Sequence, residues 1–174
     1  PPQMPEAVIV DTVRTPIGRA FKGSLAQLRP DNTGAFIIDQ LLERNPGVNP
    51  KDVEEVFCGV GMPQGKEAFN LARIMVLLSD KLGKETTGVT MSRYCASSLD
   101  AIRHASNAVK NGEGDIYIAA GVEFVSSFNE RTEVAGGDDK HPDLQGNDGQ
   151  PNVYIDMGVT AVNVANKYGV SREA

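Results

Sequence analysis

Met91-Ser92-Arg93-Tyr94-Cys95-Ala96-Ser97-Ser98-Leu99-Asp100-Ala101-Ile102 joins a strand-like run to a helix-like one. Thr86 to Ser92 is short and rich in β-branched residues, and Leu99, Ile102, Ala105 and Val109 then recur at helical spacing until Lys110-Asn111-Gly112. Cys95 therefore falls on a strand-to-helix turn. Ser97 with Asp100 three residues on resembles a capping box, which places the helix start within a residue or two of the thiol. Unpaired N–H groups and the positive end of the helix dipole favour an anion there, so the thiol should ionise more readily than a free cysteine, whose pKa is about 8.5. A nucleophilic cysteine needs that setting. The same residue also reads as a small buried apolar side chain.

Outward from this turn the pattern alternates. Glu6 to Val13, with Ala7-Val8-Ile9-Val10, reads as a first buried strand, and Arg14-Thr15-Pro16-Ile17-Gly18-Arg19 breaks it. Asp31-Asn32-Thr33 caps a helix with Phe36, Ile37, Leu41 and Leu42 inward, ended by Asn45-Pro46-Gly47. Val53 to Val60 is a second strand, and Cys58 inside it reads as packing. Asn70 is positioned to cap a helix using Leu71, Ile74, Met75, Leu78 and Leu82, with Met62 and Met75 read as core. Asp115 to Val122 supplies a fourth strand. Continuous apolar strands separated by helices predict an α/β layer with a parallel sheet covered on both faces. Ligands in such sheets bind beyond the carboxyl ends of the strands, where Cys95 lies, which favours the nucleophile reading.

From Ser126 to Pro151 apolar residues are scarce and Gly136-Gly137-Asp138-Asp139 and Gln145-Gly146-Asn147-Asp148-Gly149 predict a polar excursion or partial disorder. A helix from Gly158 to Tyr168 follows, stopped by Gly169. Ser171-Arg172-Glu173-Ala174 begins with a good N-cap and no helix after it, which reads as a chain cut short.

The 174 residues carry a net charge of −6, so no overall basic field invites nucleic acid. No window reaches the roughly 20 apolar residues of a membrane span, and the start lacks the regions of a signal peptide. A cytoplasmic, reducing compartment is expected. Two cysteines and two histidines without metal-ligand spacing make a zinc site unexpected. His104, nine residues after Cys95 at about 100° per residue, falls on the opposite side of the helix, and His141 lies in the polar excursion. The activated thiol thus has no acid/base partner among these residues.

Ser92-Arg93-Tyr94-Cys95-Ala96-Ser97-Ser98-Leu99-Asp100-Ala101-Ile102 resembles the nucleophile motif of the thiolases, the acyl-CoA C-acyltransferases. Four further segments agree in order: Ala7 to Gly18, Asn70-Leu71-Ala72-Arg73, Ala119-Ala120-Gly121-Val122-Glu123 and Asp156 to Ala165. The resemblance implies a thiolase-like layered α/β fold. Residues 1–125 would form the amino-terminal half with the nucleophile, and 126–174 would begin a loop domain. It also implies that Cys95 carries an acyl thioester, with coenzyme A as substrate and no cofactor. The acid/base histidine and a second cysteine would come from a carboxyl-terminal half, leaving these 174 residues inactive alone. A homodimer or homotetramer is the implied assembly. Met157 matches a residue that lines the acyl pocket, although a core methionine fits equally.

Three positions depart from the family pattern. Ser98 replaces the usual glycine and leans toward the ketosynthases on the same fold. Asp156 stands where short-chain acetoacetyl-CoA thiolases tend to have histidine. Asp100, Arg103 and His104 make the nucleophile helix more polar than a helix between two sheets should be. Two other readings therefore stand beside thiolysis: a ketosynthase-like condensing enzyme, and a thiolase-like protein that binds acyl-CoA or lipid without turnover.

Overall fold

β1 (Val53–Gly59) is the centre of a parallel sheet, with β2 (Thr87–Met91) on one side and β3 (Ile116–Gly121) on the other. The computed structural model describes residues 5–127, 140–146, 149 and 151–173, and the chain divides into two compact units, residues 1–130 and 131–174. Neighbouring parallel strands need a crossover, and helices supply both here. α2 (Leu71–Leu78) connects β1 to β2, and α3 (Ser97–Asn111) connects β2 to β3. The expected α/β layer is present.

Alternation along the strands assigns each helix a face. Val56, Cys58 and Val60 of the β1 segment join Leu71, Ala72, Met75 and Val76 of α2, and Ile38 and Leu42 of α1 (Pro30–Arg44), in one buried cluster with Ile118 of β3. Each such side chain stabilises the fold by about 1.5–3 kcal/mol relative to exposure. α1 approaches α2 closely because Gly34 has no side chain; a Cβ there would lie 2.6 Å from the Met75 sulfur. Phe57, Gly59, Tyr117 and Gly121 take the opposite face, under α3. The Phe57 ring sits 5.7 Å from that of Tyr117 and 6.1 Å from His104 of α3.

Gly59 and Gly121 set how near α3 can come. A Cβ on Gly59 would lie 2.3 Å from the Ser97 carbonyl carbon, and one on Gly121 would lie 2.7 Å from the Ser98 Cβ. The first turn of α3 therefore rests directly on the strand ends.

Several expectations are corrected. Glu6 to Val13 forms no strand: an apolar run becomes one only when a neighbour takes up its backbone groups, and no strand among the described residues does so. Val8, Ile9 and Val10 are each more than 70% exposed, and polar contacts anchor the segment instead. Asp11 accepts hydrogen bonds from Asn45 Nδ2 at 2.8 Å and Arg44 Nη2 at 2.9 Å. The Asn45 amide, the Thr12 N–H and the Arg44 charge hold its carboxyl below the usual carboxylate range.

α1 begins at Pro30, one residue earlier than the expected cap cluster, because proline's fixed φ suits the first helical position. Asp31 lies within the first turn, buried and gripped by both Arg29 Nε and Nη2. Phe36 points outward; Gly34, Ala35, Ile38 and Leu42 hold the inner face. Asn70 precedes α2 but does not cap it with its side chain. It adopts a left-handed backbone at φ 58°, donates its Nδ2–H to the Gly88 carbonyl (2.8 Å) and accepts the Thr90 hydroxyl on Oδ1 (3.0 Å), tying α2 to β2.

On α3 the expected inner residues Leu99 and Ile102 are exposed. Ser97, Asp100, Ala101 and Ala108 are buried instead. A helix this close to the sheet admits only small or ion-paired groups beneath it.

In the second unit, α4 (Met157–Tyr168) follows Asp156 and ends at Gly169 in a left-handed C-cap, as the sequence suggests. Of the polar stretch Ser126 to Pro151, residues 128–139, 147–148 and 150, including Gly136-Gly137-Asp138-Asp139, lie outside the described residues. Among the described residues no helix is long and apolar enough to cross a membrane, and no group of three potential metal ligands gathers.

The close approach gives a direct test. Gly59→Ala should destabilise the protein by about 1–3 kcal/mol or more, because the clash is with backbone. Gly47→Ala, with nothing within 4 Å of the new methyl, should stay within about 0.5 kcal/mol of the parent. Urea midpoints of the two variants make the comparison.

Candidate active site

Cys95 is exposed, on the turn between β2 and α3 at the carboxyl end of the sheet. Two backbone hydrogen bonds close the turn, from Ala96 N–H to the Arg93 carbonyl (3.1 Å) and from Ser97 N–H to the Tyr94 carbonyl (3.0 Å). Tyr94 holds φ at +47°, an uncommon conformation for a residue with a side chain, and this bends the chain just before Cys95. Such a conformation persists only where the surroundings over-determine it.

Ser97 is the main brace, and this corrects the capping-box expectation. α3 has Ala96 at its N-cap and no side-chain cap. The buried Ser97 hydroxyl instead accepts the Arg93 N–H at 2.8 Å and lies 2.5 Å from the Tyr94 carbonyl oxygen and 3.2 Å from that of Val60. One hydroxyl thereby joins the residue two before the cysteine to the end of the central strand. No side chain caps α3, and its first N–H, that of Ser97, is taken by the Tyr94 carbonyl.

The loops after the other strands support the same place. Ser92 Oγ donates to the Gly61 carbonyl at 2.9 Å, and Gly61 N–H donates to Glu123 at 2.7 Å. Behind them, the fully buried Glu67 accepts the Phe124 N–H at 2.7 Å. Glu67 was invisible to sequence reasoning, since Gln64-Gly65-Lys66-Glu67 carries no periodicity and its burial arises from contacts 57 residues away.

Asp100 does not cap either. Its carboxylate lies 3.3 Å from Arg93 Nε and 3.2 Å from Arg103 Nη1. His104 Nδ1 lies 2.9 Å from the Asp100 carbonyl oxygen, so that nitrogen carries hydrogen and the ring turns back along the helix. His141 makes a different local contact, accepting the Asp143 N–H at 3.3 Å in the second unit. Met157 opens α4 in that same unit, 66% exposed. Cys95 belongs to the first.

The two cysteines contrast sharply. Cys58 is fully buried in β1, and burial, with the nearby Glu67 charge, pushes its thiol up to about 12. It is packing, as its mid-strand position suggests.

The family model described as "Thiolase, N-terminal domain" matches residues 7–174. Among curated relatives, a 3-ketoacyl-CoA thiolase of Bacillus subtilis is 38% identical over 170 residues, covering 98% of this chain and 42% of the relative. One of Idiomarina loihiensis is 35% identical over 170 residues with the same shares. One of Colwellia psychrerythraea is 36% identical over 173 residues, again 98% and 42%. The chain thus spans about two fifths of the length of these relatives.

Brief treatment of the native protein with iodoacetamide should alkylate Cys95 and spare Cys58; both should react in denaturant. Raising the pH should also reveal the burial of Cys58. A thiol whose native pKa lies above its unfolded value stabilises the fold below about 9 and loses that contribution as pH rises toward 12. Cys58→Ala should therefore show a shallower alkaline loss of stability than the parent in urea titrations.

Proposed function

The chain belongs to the thiolase family, and we propose that it carries the nucleophile of an acyl-CoA C-acyltransferase, with Cys95 as that nucleophile. The observation that carries this reading is an exposed cysteine on a backbone-strained, cross-braced turn at the start of α3, at the carboxyl end of a parallel sheet. Cys58 is removed from consideration by its burial.

In thiolysis the Cys95 thiolate attacks the ketone carbon of a 3-ketoacyl-CoA. The alkoxide that forms collapses, the C2–C3 bond breaks, and the electron pair leaves on the acetyl-CoA carbon, which takes up a proton. The shortened acyl group stays on the cysteine sulfur as a thioester. The thiolate of a second CoA then attacks that carbonyl, releases the shortened acyl-CoA and regenerates Cys95. The reverse sequence condenses two acyl-CoA units. Backbone N–H groups at the start of α3 suit the developing oxyanion of the thioester step.

The proton on the acetyl carbon needs an acid/base. His104 is turned toward Asp100 and Phe57, so we place that group in the remaining length of the relatives, as a histidine with a second cysteine. The same reading assigns residues 126–174 to the beginning of a loop domain, Met157 to the acyl pocket and the assembled protein to a homodimer or homotetramer. Exposed Leu99 and Ile102 on the nucleophile helix fit a surface that the rest of a full-length thiolase covers. Residues 1–174 alone should not turn over.

In the full-length protein, Cys95→Ala should abolish thiolysis of a 3-ketoacyl-CoA. Intact-mass analysis of the parent after brief incubation should show an acyl adduct that maps to Cys95. A Cys95→Ala protein with an unchanged thiolysis rate would overturn the assignment. Loss of the adduct with unchanged acyl-CoA affinity would be the mark of catalysis rather than binding.

A further inference from the structure

Three charged side chains meet beside the nucleophile turn in an arrangement the acyl-transfer chemistry does not use. Asp100 is one turn into α3 and nearly buried, its side chain 10% exposed. Arg93, two residues before Cys95, reaches across the turn to Asp100 Oδ2, while Arg103 holds Oδ1 from the next turn of the helix. Both arginine side chains are more than 60% exposed. One carboxylate therefore links the chain on the upstream side of Cys95 to the helix on its downstream side.

We infer that Asp100 is a positioning residue for Cys95, acting through Arg93; the inference rests on the nucleophile reading above. The backbone of Arg93 is already held by the Ser97 hydroxyl at 2.8 Å, and its carbonyl accepts the Ala96 N–H. Its side chain adds a second attachment, to α3 itself. Between Arg93 and its main-chain partner Ser97 lie only Tyr94, with its left-handed backbone, Cys95 and Ala96. Fixing Arg93 at both main chain and side chain leaves the turn little freedom to relax out of the strained conformation that presents the thiol.

Energetic reasoning separates this role from simple stabilisation. The Arg93–Asp100 ion pair has a largely exposed cation, and Asp100 keeps its contact with Arg103 when Arg93 is removed. Losing it should barely move global stability. Geometry at a nucleophile is far less forgiving, since a displacement of about 1 Å can cost on the order of 100-fold in rate. The expected signature is therefore a fall in kcat without a matching loss of stability or substrate affinity.

The test uses Arg93→Ala, Asp100→Asn and the double variant of the full-length protein, with Cys95→Ala as reference. Each single variant should lower kcat for 3-ketoacyl-CoA thiolysis roughly tenfold, as a partial misplacement of the thiol would. KM should stay within about twofold, as expected of residues that act on the placement of the thiol. The double variant should be no slower than the single ones, because both changes break one link. Multiplying effects, or a change in unfolding midpoint or KM with kcat intact, would overturn the inference. If Asp100→Asn does not fold, Arg93→Ala decides, because its side chain is exposed: kcat equal to the parent overturns the inference, and a tenfold fall at an unchanged urea midpoint upholds it. A parent whose thiolysis survives Cys95→Ala overturns the nucleophile reading and this inference with it. A parent that depends on Cys95 but not on Arg93 overturns this inference alone.

Discussion

The near-contact between the first turn of α3 and the ends of β1 and β3 is the constraint on which the site depends. It exists because Gly59 and Gly121 present no side chain to Ser97 and Ser98. A helix seated at that distance cannot bury leucine or isoleucine beneath itself, so its inner face is Ser97, Asp100, Ala101 and Ala108. The Ser97 hydroxyl then has three backbone groups within reach, and the turn carrying Cys95 inherits its shape from them. Strand chemistry, helix seating and thiol presentation are thus one arrangement.

The polarity of α3 has its explanation in the same seating. Asp100, Arg103 and His104 would be costly between two apolar surfaces. Here the Asp100 carboxylate is matched by two guanidinium groups whose outer portions stay in water, and His104 returns its Nδ1–H to a helix carbonyl while its ring lies near Phe57. The apolar residues Leu99 and Ile102 are the ones left facing outward. The helix is amphipathic in the opposite sense to its leucine spacing.

The cysteines illustrate how placement, not residue type, separates an exposed thiol from a packed one. Cys58 lies among Val56, Val60 and the α2 side chains, where ionisation would leave a charge without solvent and near Glu67. Cys95 stands exposed on the turn that leads into α3, where solvent reaches it. A thiol can be a nucleophile only in the second setting.

The sequence by itself determined the alternation of strands and helices over residues 53–121, the strand-to-helix turn at Cys95, the packing role of Cys58 and the family. The first three rest on local periodicity and turn chemistry, which short stretches of chain carry in full, and the family on the resemblance of five ordered segments. Only the tertiary structure decided which side of each helix is buried, because that depends on what stands opposite: Gly59 and Gly121 exclude Leu99, and α2 selects Ile38 over Phe36. It also reassigned three capping residues. Ser97, Asp100 and Asn70 all have the composition of helix caps, but each spends its side chain elsewhere: Ser97 on the Arg93 N–H, Asp100 on Arg93 and Arg103, and Asn70 on the Gly88 carbonyl of β2. The apolar run Ala7-Val8-Ile9-Val10 shows the same limit. Its residues are suited to a strand, but a strand is made by the neighbour that pairs with it, and neighbours are a property of the fold.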